Sequence, residues 1–190
     1  MSHKADELEK LKAKASKDQT LPLREGAKNL VFGDGNPEAK IFLLGEAPGK
    51  NEDEQGLPFV GAAGKFLDKL LESAGVKRED VWISNVVYFR PPENRPPTAK
   101  ELAAFASYVE QQLKVINPKI VITLGRFSLN TFLPDGKITK IHGNPQKIKW
   151  NDQEITLLPM YHPSAGLRSP DVRKLLEEDF LNNKVLLAKF

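Results

Sequence analysis

Residues able to do chemistry gather in four segments of this 190-residue chain. The first runs Gly45-Glu46-Ala47-Pro48-Gly49, then Glu52-Asp53-Glu54, then Gly56-Leu57-Pro58-Phe59-Val60-Gly61, so carboxylates and an aromatic ring share one loop. Taken singly, each reads as part of a Gly/Pro-rich turn with solvated acids. The glycines could also cradle a phosphate, but neither a dinucleotide fingerprint nor a Gly-Lys-Ser/Thr is present. The second segment is Ser84-Asn85-Val86-Val87. A side-chain amide sets a donor beside an acceptor, which suits the N3–H and O4 edge of uracil; cytosine presents the opposite pattern and would leave buried polar groups unpaired. The third is the Pro-rich stretch 90–97, which carries Asn94. The fourth is Tyr161-His162-Pro163-Ser164. A serine hydrolase would need a Gly-x-Ser-x-Gly elbow, which is absent, and a metal centre would need more than one well-placed histidine, so no metal is expected.

The elements that must position these residues follow from hydrophobic periodicity. A short, continuous apolar run at 40–44 reads as a buried strand, and 81–87 and 119–124 read as the second and third strands. Helical periods cover 5–17, 61–75, 98–116, 125–133 and 171–187, with Thr98 and Glu101 forming a capping-box signature. From 138 to 160 two β-like stretches flank Asn151-Asp152, a hairpin whose second arm, 155–160, serves as a sheet strand. The alternation predicts an α/β fold: a single three-layer α/β/α domain over 1–190, with 1–20 as an N-terminal helix and arm and a central four-stranded, largely parallel sheet. Ligands of such sheets bind beyond the carboxyl ends of the strands, where the loops 45–60, 85–97, 125–127 and 161–169 converge. His162 is the one histidine expected there, since His3 lies near the start and His142 in a lysine-rich hairpin.

Composition narrows the classes. The absence of cysteine excludes disulfides, a thiolate nucleophile, zinc fingers and a Cys-ligated iron–sulfur cluster. A net charge of +3, from 28 Lys plus Arg and 25 Asp plus Glu, is mild but permits a local basic face for a polyanion. With 40% hydrophobic and 28% charged residues the chain fits a globular domain rather than a disordered one. No apolar run approaches the roughly 18 residues that cross a bilayer, and Met1 to Lys10 lacks a signal-peptide core, so no membrane and a cytoplasmic location are expected.

Several motifs recur in a characteristic order: Val31-Phe32-Gly33-Asp34-Gly35-Asn36-Pro37, the two glycine-bounded motifs around Glu46 and Phe59, Asn85-Val86-Val87, Arg90-Pro91-Pro92-Glu93-Asn94-Arg95, Leu124-Gly125-Arg126 and His162-Pro163-Ser164. Together, from about Leu21 onward, they resemble the uracil-DNA glycosylase superfamily, and within it the family 4 enzymes. The resemblance implies a monofunctional DNA-repair hydrolase that flips uracil out of DNA, cleaves its N-glycosidic bond and leaves an abasic site and free uracil. It implies a uracil pocket of Gly45, Ala47, Phe59 and Asn85, with Phe59 stacking on the base. His162 would hydrogen-bond uracil O2 and stabilise the departing anion, assistance worth roughly 3 to 4 kcal/mol per donor. Glu46, Glu52 and Asn94 would position water or stabilise the cationic sugar. Ala47 stands where some superfamily members carry a water-orienting Asp, as it does in family 4. Leu167 would wedge into the helix, Ser164 and Arg168 would contact DNA, and the protein would act as a monomer. Lys137, Lys140, Lys147 and Lys149 form a further candidate backbone-binding patch.

The sequence departs from the family at one site. Family 4 members hold a four-iron, four-sulfur cluster on four cysteines, whose positions here are Asp18, Leu21, Phe89 and Phe105. None supplies a thiolate, so no cofactor is expected, and packing by Leu21, Phe89 and Phe105 is expected to staple the N-terminal segment instead. A related branch that forms covalent adducts with DNA has an inserted basic loop containing His; 90–98 has neither, and turnover is expected. No lysine stands in the crevice motifs, so strand cleavage through a Schiff base is not expected. The competing readings are a catalytically inactive DNA- or nucleotide-binding protein of the same fold, and a Rossmann-like nucleotide enzyme, which the missing fingerprint weakens.

Overall fold

A computed structural model describes residues 2–151 and 153–190. Met1 and Asp152, the second residue of the expected hairpin turn, lie outside the described residues. In chain order the elements are α1 (His3–Lys17), β1 (Asp34–Gly35), β2 (Ile41–Gly45), α2 (Lys50–Gln55), α3 (Ala62–Ser73), β3 (Val81–Asn85), α4 (Ala99–Ile116) and β4 (Ile120–Leu124). There follow α5 (Arg126–Phe132), α6 (Ile138–Ile141), β5 (Gln146–Trp150), β6 (Gln153–Met160), α7 (Pro163–Arg168), α8 (Pro170–Asn182) and α9 (Lys184–Leu187).

The sheet has six strands in the order β1-β3-β2-β4-β6-β5. Its inner four, β3, β2, β4 and β6, are mutually parallel and are the four expected strands. Every residue of β2, β3 and β4 is buried, which is why they read as largely apolar, with Ser84, Asn85 and Thr123 as the buried polar residues. The pleat divides them: Phe42 and Leu44 face a core shared with α1 and α4, while Ile41 and Leu43 face α3 and α8.

Two antiparallel edges enlarge the expected sheet. β1 is only two residues, paired Asp34 to Ile83 and Gly35 to Trp82, and carries no hydrophobic signal. Gly35 (φ +126) is needed there because a Cβ would collide with the Val81 carbonyl. β5 pairs with β6, as the hairpin required, but the stretch from 138 begins as α6 rather than strand. The loops 45–60 and 161–170 hold α2 and α7, six-residue helices too short to show a period. The C-terminal helix breaks at Asn183, whose side chain donates to the carbonyls of Gly143 (2.9 Å) and Asp179 (2.9 Å). The capping box at Thr98 and Glu101 is formed as expected.

The residues at the four cysteine positions of the family converge. Leu21, Phe89 and Phe105 are buried in one cluster, the Phe89 and Phe105 rings are 6.2 Å apart, and the Arg24 guanidinium covers Phe89 at 4.8 Å. Asp18 accepts a 2.7 Å hydrogen bond from the Tyr108 hydroxyl, tying the end of α1 to α4. Three hydrocarbon side chains offer no ligand atom and the fourth is engaged, so these residues do not fit an iron–sulfur cluster. Deeper in the same layer Gln112 accepts from Trp82 Nε1 (2.8 Å) and donates to the Phe32 carbonyl and the Tyr88 hydroxyl (2.8 Å each), a fully satisfied buried hub. Removing one ring from this apolar staple leaves a cavity between α4 and the Pro-rich loop. Phe89→Ala should therefore lose about 3 to 5 kcal/mol in denaturant-induced unfolding, and an unchanged midpoint would show that the ring staples nothing.

Candidate active site

A cavity of about 580 Å³ opens at the carboxyl ends of the parallel strands, where the topology puts it. Its floor is set by strand register. Gly45 ends β2 directly opposite Asn85, which ends β3. A Cβ on Gly45 would press into Asn85 Oδ1 and come within 2.7 Å of the Phe59 ring, so glycine leaves a slot bounded by a side-chain amide and an aromatic ring. Asn85 is 1% exposed, and its Oδ1 has no hydrogen-bond partner. An unpaired buried acceptor costs about 1 to 3 kcal/mol, which a ligand N–H entering the slot recovers.

Phe59 is positioned under strain. Its φ is +52, a left-handed conformation rare for a side chain of this size. Glu52 holds one flank: Oε1 accepts from the amides of Val60 and Gly61 (2.8 Å each) and Oε2 from Gly49 (3.2 Å). Arg78 holds the other, donating to the carbonyls of Phe59 (3.1 Å) and Pro58 (2.7 Å) while anchored on Asp68 (2.8 Å). Gly64 completes the seat, since any Cβ there would collide with the Phe59 carbonyl. Behind the loop, buried Asp53 accepts from the amides of Lys28 (2.8 Å) and Asn29 (3.2 Å). Thus Glu52 lines the cavity, as expected of a site residue, with its carboxylate bound to three backbone amides.

His162 caps α7 from the end of β6. Its Nδ1 lies 3.1 Å from the Ser164 amide and 2.7 Å from Ser164 Oγ, so it accepts from that amide, and the ring proton of the neutral form sits on Nε2. Burial first, and then the charge of Arg168, lower its pKa from 6.5 to about 4. Its ring is 5.6 Å from that of Phe59, tilted by 31°. Glu46 is half-buried in the same cavity; burial raises its pKa, while Arg126 and Arg168 oppose the rise. Asn94 also lines the cavity, exposed, in a left-handed turn (φ +57), with Oδ1 accepting from Arg90 Nε at 2.8 Å. Ala47, Ser164 and Arg168 join the lining, and Leu167 stands 46% exposed beside Arg168.

All the expected site residues apart from Gly45, which forms the floor, and Leu167, which stands beside the rim, therefore line one cavity. Lys137, Lys140, Lys147 and Lys149 do not line it, and Lys147 pairs with Glu154 at 3.6 Å. The sequence reading missed Arg95, Arg126 and Phe127 as lining groups. Arg126 was inside a recognised motif without a role, although a cation immediately after a strand's carboxyl end is the available signal. Among the described residues no group of three or more His, Cys, Asp or Glu could hold a metal ion.

Residues 32–185 match the model of the uracil DNA glycosylase superfamily, and the chain belongs to that superfamily. It is 44% identical over 181 residues to a type-4 uracil-DNA glycosylase of Sulfurisphaera tokodaii, covering 92% of this chain and 82% of that one. Against the type-4 enzymes of Saccharolobus solfataricus and Thermotoga maritima the identity is 42% and 41%, over 96% of this chain in each case and 88% and 95% of theirs.

The electrostatics give a direct check. His162 ring signals in pH-titrated NMR spectra should move only as pH falls toward about 4. Because Arg168 helps to depress this pKa, Arg168→Gln should shift the transition to higher pH. A wild-type His162 titrating at 6.5 would contradict the burial of its ring.

Proposed function

We propose that this protein is a monofunctional uracil-DNA glycosylase: it takes uracil, flipped from DNA, into the slot between Gly45, Phe59 and Asn85, hydrolyses the N-glycosidic bond and releases free uracil from an abasic site. Superfamily membership and the type-4 relatives support the activity. The observation that carries the base assignment is the orphaned, buried Oδ1 of Asn85, which can accept uracil N3–H while the amide Nδ2 donates to O4.

In this reading uracil leaves as an anion, and the negative charge collecting on O2 is met by Nε2–H of neutral His162. A neutral donor is well matched to the task, because an imidazolium would pay for its charge in a buried site before any charge had developed on the base. Ser164 locks the tautomer and so acts as a positioning residue. A water adds to C1′ of the cationic sugar; Glu46 takes its proton, and Asn94 helps to orient it. Glu52 acts on Phe59, holding the stacking platform rather than the water. Ala47 leaves room at the slot's edge. Leu167 fills the hole left by the flipped nucleotide, and Arg168 and Ser164 contact the backbone. The whole chain forms one glycosylase domain, working as a monomer on cellular DNA.

Uracil-containing single- and double-stranded oligonucleotides incubated with the protein and then treated with alkali should break at uracil. His162→Ala should slow release by roughly 10² to 10³-fold, the usual loss for one oxyanion donor. Asn85→Ala should also lose most activity on uracil. DNA binding with no alkali-labile site in the wild type would favour the inactive, DNA-binding reading.

A further inference from the structure

Three guanidiniums line the cavity, and they differ in what holds them. Arg95 is forked onto Glu101 at 2.7 and 2.9 Å and donates to the Pro96 carbonyl, so its paired face is already held by a carboxylate. Arg126 and Arg168 are exposed, and neither guanidinium has a hydrogen bond or ion pair with any described residue. Arg126 lies over the Phe127 ring at 4.5 Å, which orders the plane of the guanidinium while leaving its N–H groups for a ligand.

Their positions in the chain are equally specific. Arg126 opens α5 straight after β4, one residue beyond Gly125 (φ +93), where a Cβ would come 3.2 Å from His162 Cβ. Arg168 ends α7, the helix that His162 caps. Two unpartnered cations are thus carried on two separate elements that both abut the base-binding histidine. Both also act through space on Glu46.

Resting on the glycosylase reading, we infer that Arg126 binds a DNA backbone phosphate beside the flipped nucleotide, and that Arg126 and Arg168 together, rather than the lysines of 137–149, form the electrostatic grip at the site. A phosphate is the chemistry that fits: a guanidinium ordered on a ring, as Arg126 is, takes anionic oxygens in pairs through its free N–H groups, and the substrate carries one charge at every nucleotide. The lysines lie outside the cavity, and Lys147 already has Glu154 for company.

The test is the salt dependence of binding to uracil-free and abasic duplexes. Arg126→Gln should weaken both by the same factor and lower the slope of log affinity against log salt by about 0.9, the value for one phosphate contact. Arg126→Lys should keep the wild-type slope, and Lys147→Ala should leave it unchanged. A wild-type slope in Arg126→Gln, or a loss confined to turnover, would overturn the inference and assign the guanidinium to Glu46 alone. A second arm alters the DNA instead. Neutral methylphosphonate placed one at a time around an abasic site should weaken wild-type binding at one position where Arg126→Gln loses nothing further, and equal losses at every position would also overturn it. The glycosylase reading stands or falls separately, on uracil release by the wild type.

Discussion

The ring of Phe59 lies against Gly45 because its backbone is held at φ +52, and the slot exists only while it stays there. Such a conformation costs of order 1 to 3 kcal/mol and persists when the surroundings over-determine it. Here Glu52 ties three amides around the loop, Arg78 takes two of its carbonyls, and Gly64 leaves the room. The strain is local, but its supports come from α2, α3 and the turn before β3. The shape of the pocket is therefore a property of the whole upper half of the domain, and Glu52 belongs to that framework as much as to the cavity wall.

Charge in the site follows from burial and two arginines, which oppose each other at Glu46, while burial and Arg168 act together at His162. Burial alone would neutralise Glu46 and His162 alike, and for His162 neutrality is useful because it leaves a proton on Nε2 with no charge. For Glu46 burial raises the pKa, and Arg126 and Arg168 oppose that rise. Arg168 thus acts on both groups in the same direction, pressing each toward its deprotonated form, while Arg126 acts on Glu46.

The N-terminal layer shows how a staple can change material. Where family 4 enzymes would place thiolates around a cluster, this chain has Leu21, Phe89 and Phe105 buried in one apolar cluster, an Arg24 guanidinium over a ring, and the Asp18 to Tyr108 hydrogen bond. This packing fastens the arm after α1 to the Pro-rich loop that closes one side of the cavity.

The inner four strands and the long helices were legible because parallel strands covered on both faces are written as continuous apolar runs, and α4 announces itself with Thr98 and Glu101. Asn85 and His162 were legible too, since residue type and a place at a strand's carboxyl end are both local properties. β1 was not: two residues, one of them Gly35, pair with β3 through a close backbone approach that no pattern encodes. Nor was the bonding of Glu52, whose partners lie on both sides of it in a fold of the loop, or the difference between Arg95 and Arg126, which turns on Glu101 being within reach of one and not the other. Local sequence specifies periodicity, caps and the kinds of side chain at each strand end. Which acceptor is left unpaired, which backbone is strained and which cation is free depend on side-chain contacts made across loops and between strands, and those exist only once the chain has folded.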